Sequence, residues 1–160
     1  METVYLAGGC LWGVQHFFDS VPGVVSTEAG RANGKTDSLE GPYDGYAECV
    51  KVTFDEEKIT VTQLVEHLFE IIDPYSVNKQ GVDGGKKYRT GIYSTAKKHL
   101  DEAKDFIERR EDKDKIVVEV LPLSNYVRSA EEHQHHLKRH TEDCSYCHIQ
   151  DEIMNKYRMK

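Results

Sequence analysis

Cys10 stands where an apolar run beginning at Val4 ends in Gly8-Gly9 and a helical pattern begins at Leu11. Ala7-Gly8-Gly9-Cys10-Leu11-Trp12-Gly13 therefore reads as a strand turning sharply into a helix, with a thiol at the turn. Unpaired backbone N–H groups and the positive end of the helix dipole favour the thiolate there, which is the nucleophilic form of sulfur. The alternative is a small core side chain, the commoner fate of a lone cysteine. A second chemical group is Glu48. Tyr46 to Phe54 reads as a strand whose alternation puts Glu48 on the face of Val50, Val52 and Phe54. Burial on an apolar face raises a carboxyl pKa and keeps the proton that a general acid needs. A solvated strand end or a basic partner would instead leave an ordinary carboxylate. Cys49, on the other face, reads as an inert strand cysteine.

The third group is C-terminal. Ser129-Ala-Glu-Glu132 is a capping box opening a helix that bears His133, His135, His136 and His140, followed by Cys144-Ser-Tyr-Cys147-His148. His136, His140, Cys144 and Cys147 have a spacing that could hold zinc, and Cys144-x-x-Cys147-His148 also matches a haem c attachment pattern. Two neighbouring thiols near a terminus can also form a disulfide with an oxidised sulfur elsewhere and pass the oxidation outward. A solvated tail with incidental cysteines is the plainest reading.

Several elements must position these groups. Thr3 to Gly9 reads as a buried strand. A helix from about Leu11 to Ser20 follows, with Leu11, Val14, Phe17, Phe18 and Val21 as its apolar stripe. Trp12 falls off that stripe, beside Cys10 and without an obvious core role. Pro22-Gly23 stops the helix, Val24 to Ala29 reads as a strand, and Gly30 to Gly45 as a long loop that could wall a substrate site. Thr60-Val-Thr-Gln63 caps a packing helix with Val61, Leu64, Val65, Leu68 and Ile72 inward. Tyr75 to Lys87 is a second loop. Its Gly81-Val-Asp83-Gly-Gly-Lys86 is one residue short of a phosphate-binding P-loop and lacks the following Ser or Thr. Tyr88 to Ser94 reads as a strand, Ala96 to Glu111 as a helix and Ile116 to Leu121 as a strand. The resulting βαββαβ order with a further αβ predicts an α+β fold: a ferredoxin-like two-layer sandwich with a mixed sheet, long loops and an irregular C-terminal tail.

A chain of 160 residues with no repeats or low-complexity linkers reads as a single catalytic domain over 1–160, with 141–160 as a tail. The 28 acidic against 21 basic residues give a formal charge of −7, which disfavours nucleic acid as a partner. No run is long and apolar enough to span a bilayer and no secretory signal pattern opens the chain, so a cytoplasmic protein with reduced thiols is expected. Four cysteines in that setting point to catalysis, metal binding or inertness before a permanent disulfide framework.

Gly8-Gly9-Cys10-Leu11-Trp12-Gly13 resembles the Gly-Cys-Phe-Trp-Gly signature of the peptide methionine sulfoxide reductase A family. Gly45-Tyr-Ala-Glu48 resembles its Gly-His-Ala-Glu, and Gly81-Val-Asp83 through Lys87-Tyr88-Arg89 its Gly-x-Asp…Gln-Tyr-Arg. Glu131-Glu132-His133-Gln134 resembles its Glu-Asp-x-His-Gln, and the pieces keep the family's order over about nine-tenths of the chain. The resemblance implies that Cys10 attacks the sulfur of a methionine S-sulfoxide, free or protein-bound, while Glu48 protonates the departing oxygen. It implies that Tyr88 bonds the sulfoxide oxygen and Asp83 arranges the polar side of the site. Trp12 and Leu11 would form the apolar wall for the substrate methyl, and Tyr43 is the candidate for a second substrate-binding tyrosine. Cys147 would resolve the oxidised nucleophile, with Cys144 as a relay. The recycling partner would be thioredoxin or another dithiol; no metal or bound cofactor is implied, and a monomer is expected. Leu11 stands where the family has phenylalanine, Arg31 where tyrosine is common and Tyr46 where it has histidine.

Overall fold

Strand-forming residues separated by turn signals build the sheet, and helices with one apolar stripe cover it. The computed structural model describes residues 1–8, 11–34, 45–72, 74–75, 79–80, 83–84, 89–129 and 134, with the backbone alone at 11, 79–80 and 83–84. Along the chain run β1 (Glu2–Gly8), α1 (Leu11–Asp19), β2 (Val24–Ala32), β3 (Ala47–Phe54) and α2 (Val61–Ile71). A two-residue pair, β4 (Lys79–Gln80) and β5 (Asp83–Gly84), lies in the stretch expected to be pure loop. Then come β6 (Thr90–Ser94), α3 (Lys97–Glu108), β7 (Glu119–Pro122) and β8 (Tyr126–Arg128). Six strands form one mixed sheet in the order β7-β6-β1-β3-β2-β8, antiparallel throughout except for the parallel pair β6–β7.

Alternation divides the sheet into two faces. Val4, Leu6, Val50, Val52, Phe54 and Ile92 share one core with Val14, Phe17 and Phe18 of α1, with Leu64, Val65 and Leu68 of α2 and with Ala103 of α3. All three helices therefore pack on that face. The other face carries a smaller cluster of Ala7, Ala32, Ala47, Cys49 and Tyr93, with Tyr5, Leu123 and Tyr126 against it. The capping box at Thr60 forms as its sequence predicts: the Gln63 amide N–H donates to Thr60 Oγ1 at 3.1 Å, and Thr60 N–H to Gln63 Oε1 at 3.0 Å. At the start of β1, Glu2 accepts from Lys98 and lies 2.6 Å from His99 Nε2, whose Nδ1 is 2.7 Å from Ser94 Oγ. That chain fastens β1 to α3, and the His99 and Lys98 contacts hold the Glu2 carboxyl below its ordinary pKa.

Several elements differ from the sequence reading, among them α3, which stops at Glu108 rather than Glu111. β2 continues past Ala29 to Ala32, because Gly30 is not a turn residue: the Tyr126 ring of β8 lies directly over it. β8 is too short at three residues for alternation to reveal, and Asn33 hooks the connection that precedes it. Asn33 adopts a left-handed φ of 56°, which asparagine tolerates, and its Oδ1 accepts from Ser124 N–H at 2.7 Å. β7 starts at Glu119 rather than Ile116 because its ladder begins where Glu119 meets Gly91, one residue into β6. Beyond β8, Gln134 continues that edge with its side chain. Its amide accepts from Ala29 N–H at 2.8 Å and donates to Ala29 C=O at 2.9 Å, while Gln15 of α1 approaches it at 3.4 Å. The helix expected from Ser129 to His140 lies, apart from Ser129 and Gln134, outside the described residues.

A methyl group on Gly30 would sit 2.3–2.5 Å from three atoms of the Tyr126 side chain, whose hydroxyl is held by Glu28 at 2.7 Å. Gly30→Ala should therefore lower stability by about 1–3 kcal/mol in urea unfolding, the cost of overpacking a rigid neighbour. An unchanged midpoint would show that the ring yields freely.

Candidate active site

β1 is flanked on both sides, and its end defines the site. It pairs with β3 from Glu2↔Phe54 to Leu6↔Val50 and with β6 as far as Gly8↔Thr90. Continuing the β3 register by two residues sets Gly8 level with Glu48, and Glu48 is in turn directly opposite Arg31 of β2. Thr90, Gly8, Glu48 and Arg31 thus form one row across four adjacent strands, on the face that carries the helices. Neighbouring strands lie about 4.8 Å apart, so Glu48 is one strand away from the base of the strand-to-helix turn. Two residues of chain beyond Gly8, at most about 7 Å, lead to Cys10.

Gly8 permits close packing. A Cβ there would lie 3.0 Å from Leu68 of α2 and from Ile72 just after it, and 3.2 Å from Val14 of α1. Both helices therefore press directly on the strand end, and α1 starts at Leu11 as the turn predicts. Trp12 is half-buried and packs against the main core, so it has the core contact that its off-stripe position did not suggest. Glu48 is half-buried, on the same face as Val50, Val52 and Phe54. The register brings a basic residue alongside it: the Arg31 guanidinium stacks on the Tyr46 ring, 4.4 Å from its centroid. Thr90 is 2 % exposed, and its Oγ1 is the only buried side-chain polar atom without a hydrogen bond among the described residues.

Behind this row, on the other face, lies a polar cluster that sequence reading did not single out. Arg89 Nε donates to Glu119 Oε2 at 3.1 Å and its Nη1 to the Tyr46 carbonyl at 3.2 Å, and the Tyr93 hydroxyl donates to the same Glu119 oxygen at 2.7 Å. Burial and the Glu119 carboxylate push the Tyr93 pKa far up, so the hydroxyl keeps its proton. Arg89 belongs to the Lys87-Tyr88-Arg89 motif, which was the available signal.

The other proposed site residues distribute unevenly. Cys10, Tyr43, Tyr88, Cys144 and Cys147 lie outside the described residues, as do the histidines of the zinc alternative; Leu11 and Asp83 are described by backbone alone. Cys49 is buried on the opposite face, 1 % exposed, and burial pushes its thiol well above the ordinary range. Among the described residues no group of three His, Cys, Asp or Glu side chains could hold a metal, and no helix is long and apolar enough to cross a membrane.

Residues 2–160 match the family model described as peptide methionine sulfoxide reductase. A protein named peptide methionine sulfoxide reductase MsrA from Clostridium perfringens is 43 % identical over 159 residues, covering 93 % of this chain and 98 % of its own length. Among solved structures, Mxr1 from Saccharomyces cerevisiae in reduced form superposes with a TM-score of 0.84 at 26 % identity, over 94 % of this chain and 92 % of its own. Methionine sulfoxide reductase A of Corynebacterium diphtheriae gives 0.79 at 30 % identity, over 88 % and 75 % respectively.

Because the Cys49 thiol is enclosed and held protonated, iodoacetamide at neutral pH should leave it unlabelled in the folded protein and alkylate it once urea unfolds the chain. Peptide mass spectrometry reads this directly. Labelling of folded protein at Cys49 would contradict its burial.

Proposed function

The chain belongs to the peptide methionine sulfoxide reductase family and is an enzyme that reduces methionine sulfoxide, and from that premise we propose how its own residues carry the reaction. The Cys10 thiolate attacks the sulfur of a methionine S-sulfoxide, in a protein or as the free amino acid. Glu48 delivers a proton to the oxygen, which leaves the substrate sulfur and ends on Cys10. The products are methionine and a Cys10 sulfenic acid, so the substrate sulfur gains the two electrons that the cysteine loses. Cys147 then attacks Cys10 and releases water as a disulfide forms, Cys144 relays the oxidation, and thioredoxin or another dithiol restores the thiols. No metal or bound cofactor enters the cycle.

The observation that carries this reading is the row at the end of β1, where a half-buried carboxyl lies one strand from the chain leading into Cys10. Oxide is a very poor leaving group unless protonated, so a proton donor at that position is the chemical requirement. Trp12, at the first turn of α1 and against the core, supports its assignment with Leu11 to the wall that holds the substrate methyl. Tyr88, Asp83 and Tyr43 take the roles implied by the family motifs, on the polar side and the outer wall. The strand order β6-β1-β3-β2, antiparallel with α1 and α2 on one face, supports the ferredoxin-like two-layer description of the core. We read residues 1–160 as one catalytic domain ending in a redox tail over 141–160, working as a cytoplasmic monomer.

Mixing reduced protein with each sulfoxide epimer, without recycling reductant, should yield methionine from the S form alone. Cys10→Ser should yield none, and Glu48→Gln should slow the single turnover by about 10²–10⁴-fold, the usual contribution of a positioned acid. Methionine from Cys10→Ser would overturn the mechanism.

With Cys144 and Cys147 both replaced by serine, one equivalent of methionine should form and the protein should then stall with one added oxygen on Cys10. Continued turnover with thioredoxin and its reductase would remove the tail from the cycle.

A further inference from the structure

β1 stops pairing with β3 at Leu6↔Val50, while its ladder with β6 runs to Gly8↔Thr90. β6 and β3 flank β1 and so lie two strand spacings, or about 10 Å, apart. The Arg89 side chain spans that gap. It leaves the residue before β6, is 11 % exposed, and donates to the carbonyl of Tyr46, the residue before β3. Glu119 on β7 holds the other side of the guanidinium, and the Tyr93 hydroxyl holds Glu119. Gly91 makes room for this arrangement, since a Cβ there would lie 2.5 Å from the Tyr93 hydroxyl. One end of the bridge adjoins Tyr88 in the chain; the other is two residues from Glu48.

From this geometry we infer that Arg89 is a positioning residue for the reductase step: its guanidinium fixes the strand end bearing Glu48 relative to Tyr88 and to the chain leaving β1 for Cys10. The inference rests on the assignment of Cys10 and Glu48 under the proposed function. A planar fork that reaches two acceptors in fixed directions suits the task, whereas a lysine ammonium reproduces the charge without the fork. An error of about 1 Å between acid and nucleophile costs on the order of 10²-fold in rate. Such an error acts on the transition state, so it lowers the rate at saturation more than it weakens substrate binding.

The test is single-turnover formation of N-acetyl methionine from N-acetyl methionine S-sulfoxide by the reduced full chain, measured across substrate concentration, with urea unfolding of each variant. Arg89→Met should lower the saturating rate constant about 30- to 100-fold and move half-saturation less than about threefold. Arg89→Lys should recover part of that loss. Glu119→Gln should cost about three- to tenfold alone and add less than twofold in the Arg89→Met background, because both act through one bridge. A wild-type saturating rate in Arg89→Met, a loss confined to half-saturation, or additive losses in the double variant would each overturn the inference. Should Arg89→Met not fold, Glu119→Gln and Tyr93→Phe decide: a wild-type rate in both overturns it. Glu48→Gln separates the two levels. If it keeps the full rate, the site assignment itself fails; if it is inactive while Arg89→Met is unimpaired, the bridge alone fails.

Discussion

Everything near the site depends on where β1 stops pairing. A central strand is held by ladders on both sides, and here the two ladders end at different residues, Leu6 towards β3 and Gly8 towards β6. Both ladders end close to where the chain leaves for α1. Backbone groups beyond a ladder's end are expensive to bury unless something else bonds them. The Arg89 guanidinium meets the Tyr46 carbonyl just before β3, while Gly8 admits α1 and α2 onto the opposite face. Support from behind and tight packing in front hold the end of β1 between them.

The two faces of the sheet divide the work. On the helix side, large aliphatic and aromatic residues supply burial, and a row of polar residues stands at the end of β1, at Thr90, Glu48 and Arg31. On the other side, alanines and glycines leave space for tyrosines whose hydroxyls reach Glu28 and Glu119. Those carboxylates also meet Arg128 and Arg89, so each tyrosine belongs to a charge-balanced set. Hydrogen bonds to charged groups in partly buried surroundings are stronger and more directional than apolar contacts, which suits a face that must fix angles rather than supply area.

Periodicity found α1 and α2 because a stripe at helical spacing is a local pattern, and the Thr60 capping box marked the start of α2 to the residue. The placement of Glu48 with Val50, Val52 and Phe54 was legible for the same reason: alternation is fixed once a strand is identified. What could not be read was the company of each residue across strands. Nothing local in Gly30-Arg31-Ala32 says strand, because the glycine answers to a tyrosine 96 positions later that packs upon it. Arg89 and Glu119 show the same limit, since their pairing needs the parallel register of β7 beside β6. Cys10 was read as a candidate nucleophile from its local setting alone, whereas cross-strand company arises from tertiary pairing.

The short edges of the sheet have a consequence for how this protein meets other chains. An open strand edge is a template on which foreign β-structure can add. One edge here is β7, four residues that end in Pro122; the other is β8, three residues whose continuation along β2 is the side-chain amide of Gln134. Proline cannot donate to a ladder, and Ala29 is met by the Gln134 side-chain amide together with the Ser129 backbone N–H. Among the described residues the open edges are therefore short, which limits the room for shared β-structure there.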